Sequence, residues 1–230
     1  MSVVGYNVTI NKEELAELPQ ALYTGDIKIV ATTRSMKAAV AKLRKSPIIG
    51  FDTETRPSFR KGKVYNVALL QLSTRDCCYL FRLNRLGLRK EVMELLEDEH
   101  LLKVGLSIKD DFMNLNKLKE LHPEGFVDLQ SYVKQFGIAD NSLQRIYGIL
   151  FGERISKGQR LTNWEAEQLS EAQMQYAALD ALACIKIYDY LSAGNFNPNT
   201  SEYLRPIIVE DEGEIIWLLI IQSINDYVER

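Results

Sequence analysis

The run Ser46-Pro47-Ile48-Ile49-Gly50-Phe51-Asp52-Thr53-Glu54 constrains this chain more than any other segment. Its apolar stretch predicts a buried strand over Ile48–Thr53, and that strand ends in two carboxylates two positions apart. Side chains at i and i+2 stand on the same face of a strand. Asp52 and Glu54 therefore lie side by side, offering hard oxygen ligands of the kind that Mg²⁺ or Mn²⁺ prefers. If further carboxylates converge on this pair, the site reads as that of a metal-dependent phosphodiester hydrolase.

The surrounding pattern predicts an α/β domain. Asp26–Ala31 reads as a strand, and Arg34–Arg44 has helical periodicity through Met36, Val40 and Leu43. Val64–Ser73 and Cys77–Leu83 read as strands, with the short Thr74-Arg75-Asp76 link of a hairpin. Then strands alternate with helices: helix Leu88–Leu96, strand Leu102–Leu106, a helix from about Asp110 to Leu121, strand Phe126–Asp128, and helix Leu129–Phe136. Helix Ser142–Gly148 follows, capped by Asn141 or Ser142, and a long helix runs from Ser170 to about Leu191. Hairpin-linked strands followed by alternation imply a central mixed β-sheet flanked by helices. Residues 1–25 read as an N-terminal extension with one short helix near Glu13–Leu18, and 26–192 as the domain. Residues 193–230 read as a linker, rich in Asn, Ser, Gly and Pro over Ser192–Pro206, and an apolar tail.

Composition narrows the function classes. The 230 residues carry a formal net charge of -3, which excludes a generally basic nucleic-acid coat and leaves room for an enzyme with a local basic groove. Cys77, Cys78 and Cys184 form neither a disulfide framework nor a zinc spacing. With Met1–Tyr6 lacking the basic region and apolar core of a signal peptide, the expected setting is reducing and cytoplasmic. The longest apolar run, Ile215–Ile221, is far shorter than the roughly 20 residues of a membrane span. No membrane association is expected.

Two further acidic positions stand out. Asp110-Asp111 follow the short strand ending near Leu106, at a predicted helix start. Alone, they read as a helix cap complementing the helix dipole. Tyr176 and Asp180 are four apart, hence on one helix face, and Ala177, Ala178, Ala181 and Ala183 let that helix approach a sheet closely. Alone, these read as a half-buried tyrosine and a solvated aspartate.

Together, strand Asp-x-Glu, helix-start Asp and helical Tyr-x-x-x-Asp resemble the three motifs of the DEDD superfamily of 3′–5′ exonucleases, tyrosine subclass. Leu161-Thr162-Asn163-Trp164, then Leu169-Ser170 and Gln175-Tyr176-Ala177-Ala178-Leu179-Asp180-Ala181, are similar to the corresponding segment of the Werner-type exonuclease domain and ribonuclease D. Val127-Asp128-Leu129 sits where that family has its Asp-Leu element. The resemblance spans roughly residues 26–192 and implies a ribonuclease H-like fold. It places the second-motif acid at Asp111 rather than Asp110. It implies two divalent cations, Mg²⁺ or Mn²⁺, held by Asp52, Glu54, Asp111 and Asp180, with Asp52 bridging and Asp111 acting largely through water. Tyr176 would orient the attacking water, because a phenol with a pKa near 10 is a poor base at neutral pH.

Basic loops frame these positions. Arg56, Arg60, Lys61 and Lys63 surround Phe59 directly after the first motif, and Lys157 and Arg160 precede Trp164. Phosphate contact with base stacking on Phe59 is a way to grip a single strand without reading its sequence. Trp164 is expected to anchor its loop against the long helix. The expected partner is a nucleic acid with a free 3′ end, single-stranded or frayed, degraded to nucleoside 5′-monophosphates. The alternatives are a catalytically inactive binding or scaffold module and an endonuclease on the same fold. The apolar tail is expected to pack back on the domain or, as second choice, to form a homodimer contact.

Overall fold

The computed structural model describes residues 2–209. In chain order the elements are β1 (Ser2–Val8), α1 (Lys12–Glu17), β2 (Asp26–Val30), α2 (Thr33–Leu43), β3 (Ile48–Thr55), β4 (Val67–Ser73), β5 (Cys77–Arg82), α3 (Leu83–Leu86) and α4 (Lys90–Leu96). They continue with β6 (Leu102–Gly105), α5 (Ile108–Asn116), β7 (Phe126–Asp128), α6 (Leu129–Tyr132), α7 (Leu143–Phe151), α8 (Glu171–Ser192) and β8 (Leu204–Val209). Six strands form one mixed sheet in the order β2-β5-β4-β3-β6-β7. The β3–β4–β5 stretch is antiparallel, while β2 runs parallel to β5, and β6 and β7 extend parallel from β3.

The interior strands β4 and β5 are buried at every position. Adjacent residues therefore feed two cores. Cys78 and Leu80 face the α7–α8 side, while Cys77, Tyr79 and Phe81 face the side covered by α2, α4 and α5. Both adjacent cysteines are thus core, one per face.

The long helix α8 lies directly on β3. A Cβ at Gly50 would come within 1.9 Å of the Ala181 carbonyl oxygen, so glycine is what lets helix and strand meet. Ala177, Ala178, Ala181 and Ala183 are fully buried. Arg75, in the β4–β5 turn, clamps the far end of α8 through two bonds to Asp189 at 2.8 and 2.9 Å.

The chain ends differ from the sequence expectation. Residues 1–25 and 193–209 carried no expected strand, yet β1 and β8 pair antiparallel from Ser2↔Val209 to Val8↔Leu204. Val8 ties this ribbon to the main body, donating to the Gly137 carbonyl at 2.8 Å and accepting from Ala139 N–H at 2.9 Å. Two helices also differ. The expected Leu129–Phe136 helix is an α-turn followed by a 3₁₀ segment over Val133–Phe136. Helix α5 stops at Asn116, whose side-chain oxygen accepts from Leu121 N–H at 2.8 Å and so stabilises the following turn. The apolar run 215–221, and with it the expected dimer contact, lies outside the described residues. Among the described residues, no helix is long and apolar enough to cross a membrane.

Candidate active site

Asp52 and Glu54 project from the end of β3 toward α8, as their i, i+2 spacing requires. Asp180 comes down from α8 to meet them, and carboxylate oxygens of the three lie within 4.8 Å of one another. Glu54 and Asp180 are only 8% and 6% exposed. The packing of Gly50 against Ala181 fixes this meeting, because those residues precede Asp52 by two and follow Asp180 by one.

Asp111 stands outside the triplet, at the first turn of α5. Thr53, on the opposite face of β3 from Asp52, donates its hydroxyl proton to the Asp111 carboxylate. Asp110 is exposed, and it is Asp111 that reaches β3. The N-terminus of α5 is positioned by Asp128, whose carboxylate accepts from Ser107 N–H at 2.8 Å and Ile108 N–H at 3.3 Å. This holds Ser107 at φ 58°, a left-handed conformation rare for a serine. It gives the Val127-Asp128-Leu129 segment a physical role: it sets the entry angle of the helix that carries Asp111.

The acids crowd one another. Burial, then the Asp180 and Glu54 charges, push the Asp52 carboxyl well above its ordinary range. Burial, Asp180 and Asp111 do the same to Glu54, while Arg160 opposes them. Asp180 rises to about 7 through burial, against the pull of a hydrogen bond with Tyr176 and of the Lys157 charge. Asp111 rises to about 6 through burial, against the Thr53 bond. Burial with Asp180 and Glu54 drives the Tyr176 phenol further up, so it stays protonated at neutral pH. A buried set of oxygen ligands destabilised by its own charge is complementary to a hard divalent cation. The donor set fits Mg²⁺ or Mn²⁺, with Asp52, Glu54 and Asp180 as the residues that would hold it.

The basic residues divide into two groups. Lys157 and Arg160 are close enough to the acids to shift Asp180 and Glu54 respectively. Arg56, Phe59, Arg60 and Lys63 line a separate cleft of about 410 Å³ together with Tyr65 and Leu161. Lys61 is exposed on the same loop without lining that cleft. Arg56 and Lys63 each lie 4.8 Å from the Tyr65 ring centre, and Arg56 also reaches Glu165 at 3.2 Å. Phe59 is 83% exposed at the rim. Tyr65 is a cleft residue not singled out in the sequence, although an aromatic two positions after a basic run is a legible signal.

Trp164 is fully buried and packs its ring 6.1 Å from that of Tyr176. Its loop is pinned from β5 and α3: Arg82 donates to the Ala166 and Glu167 carbonyls, Arg85 to Glu167, and Asn84 to Glu165. These anchors escape sequence reading because they join residues about 80 positions apart.

Comparison with known proteins agrees with this geometry. The 3′–5′ exonuclease family matches residues 27–193. The mouse bifunctional 3′–5′ exonuclease/ATP-dependent helicase WRN is 31% identical over 156 residues, covering 65% of this chain and 11% of that protein, so the chain spans a small part of this relative. Among solved structures, the Aedes aegypti Nibbler EXO domain superposes with a TM-score of 0.65 at 22% identity, over 78% of this chain and 96% of that one. The Trypanosoma brucei RNase D in complex with RNA U12 superposes with a TM-score of 0.63 at 21% identity, over 78% and 64%. These neighbours share the ribonuclease H-like fold expected from the motifs. The chain belongs to the 3′–5′ exonuclease family of DEDD type.

Proposed function

We propose that this protein is a 3′–5′ exonuclease of the tyrosine subclass that removes nucleoside 5′-monophosphates from a free, single-stranded or frayed 3′ end. The observation that carries the proposal is the buried Asp52–Glu54–Asp180 triplet with the Tyr176 phenol against it. In the reaction, water oxygen bonds to the terminal phosphorus, the P–O3′ bond to the preceding nucleotide breaks, and that O3′ leaves with a proton. Two divalent cations, Mg²⁺ or Mn²⁺, would supply charge relief at phosphorus and the leaving oxygen and favour ionisation of the attacking water.

The chain's own groups do the rest. Asp52, Glu54, Asp111 and Asp180 are the residues that would hold the cations. Tyr176 keeps its proton and orients the attacking water by hydrogen bonding, since its phenol is held above its ordinary value by burial and three carboxylates. Lys157 and Arg160 face the acids and meet the phosphate charge as it arrives. Arg56, Arg60 and Lys63 hold the upstream backbone, while Phe59 and Tyr65 offer ring faces for bases. The convergence of Asp52, Glu54 and Asp180, with Tyr176 beside them, speaks against an inactive binding module.

Chromatography of the products from a short single strand with Mn²⁺ tests the reading. Nucleoside 5′-monophosphates are expected. Nucleoside 3′-monophosphates, or cleavage of a circular single strand, would refute it.

A further inference from the structure

Gln71 is fully buried, yet neither its side-chain nitrogen nor its oxygen has a hydrogen-bond partner. An orphaned buried amide is costly, and its persistence calls for an explanation. Its place in the sheet supplies one. Gln71 on β4 is directly opposite Asp52 on β3 and Leu80 on β5. Directly opposed side chains stand on one face, about 4.5–5.5 Å apart at Cβ. Gln71 therefore lies under α8, on the same face as Asp52.

Its other neighbours on that face offer it little. Leu69 and Leu80 are apolar, and the Ser73 hydroxyl, which donates to the Thr74 carbonyl at 2.8 Å, makes no bond to the amide. The other orphaned side-chain atoms among the described residues, Arg82 Nε and Trp164 Nε1, are donors and cannot accept from the amide. Asp52, directly opposite on β3, is the carboxylate that the strand register sets beside the Gln71 amide. A carboxylate has about four lone-pair directions. One that holds a cation would still keep others free for an N–H donor.

We propose that Gln71 is a positioning residue: its amide N–H groups fix the Asp52 carboxylate in its metal-holding orientation, at a cost borne by the metal-free protein. This rests on the metal-binding reading of the site given above. Partners of this kind typically contribute 10–100-fold to metal affinity.

Gln71→Met keeps the volume and removes the donor. Two quantities are measured: Mn²⁺ binding by calorimetry without substrate, and the melting temperature of the metal-free protein. The expected result is at least about 10-fold weaker Mn²⁺ binding with a melting temperature at or above the parent's, because replacing an orphaned amide by an apolar group is neutral or stabilising. A purely structural glutamine gives the reverse: a lower melting temperature and unchanged affinity. Mn²⁺ binding within twofold of the parent overturns the role of Gln71 alone. A parent chain that binds no Mn²⁺ overturns the proposed function and this role with it. If Gln71→Met does not fold, Gln71→Asn, which retracts the amide by one methylene, must still weaken Mn²⁺ binding or the proposal fails.

Discussion

Asp180 shows how a single side chain can be wrong for stability and right for function. It is 6% exposed, faces two other carboxylates, and is pushed to about 7. A raised folded-state value means that the folded protein binds more protons than the unfolded chain between roughly pH 4, the ordinary carboxylate range, and pH 7. Stability of the metal-free protein should therefore fall as pH rises through that window and go on falling toward about pH 9, as Glu54 in turn gives up its proton. Thermal melts in chelator should show this fall, and saturating Mg²⁺ should abolish it. Asp180→Asn removes the repelling charge, so its metal-free melting temperature should exceed the parent's near pH 7. Its exonuclease rate should drop by at least about 100-fold, the upper end of what losing even an outer partner of a metal ligand costs. Rate and stability moving in opposite directions identifies a metal ligand, whereas a structural acid would lose both.

The β3–α8 contact is the element on which the site depends. Gly50→Ala drives a methyl group toward the Ala181 backbone carbonyl, which cannot rotate away as a side chain could. The expected cost is about 3 kcal/mol, at the upper end of overpacking effects, with loss of turnover because Tyr176 and Asp180 ride on the displaced helix. Denaturant titration and a rate assay would check both. This element was legible because its signals are local: an apolar strand with alternating acids, and an alanine-rich helix capped by Ser170 and Gln173. Elements without local signals were missed. Helix α3 is a single turn of four residues, too short to display a period. Strands β1 and β8 exist through each other, nearly 200 residues apart, and β8 contains Pro206, which reads as a break in isolation but is tolerated in a two-stranded ribbon.

At the scale of the whole molecule, a chain of net charge -3 must attract nucleic acid locally. The two basic loops flank the acids from sequence positions about 100 residues apart, and their convergence was visible in the sequence only through the family resemblance. Which cations face the acids and which line the Tyr65 cleft depends on tertiary packing, and no spacing encodes it. Replacing Arg60 and Lys63 with alanine should raise KM while sparing kcat at saturation. Each lost phosphate contact should flatten the dependence of log affinity on log salt by about 0.7 for a single strand. Phe59→Ala should weaken binding by about 1–3 kcal/mol, the worth of one base stack, with little change in salt slope. KM measured across a salt series separates the two effects.

The central claim is that Asp52, Glu54, Asp111 and Asp180 form a metal-dependent site that shortens nucleic acid from its 3′ end. The most direct measurement is a time course on a 5′-labelled single strand with Mn²⁺, with chelator, and with Asp52→Asn. A ladder receding one nucleotide at a time from the 3′ end is expected with Mn²⁺, and an intact strand in the other two. An intact strand in all three, or equal shortening by Asp52→Asn, would contradict it.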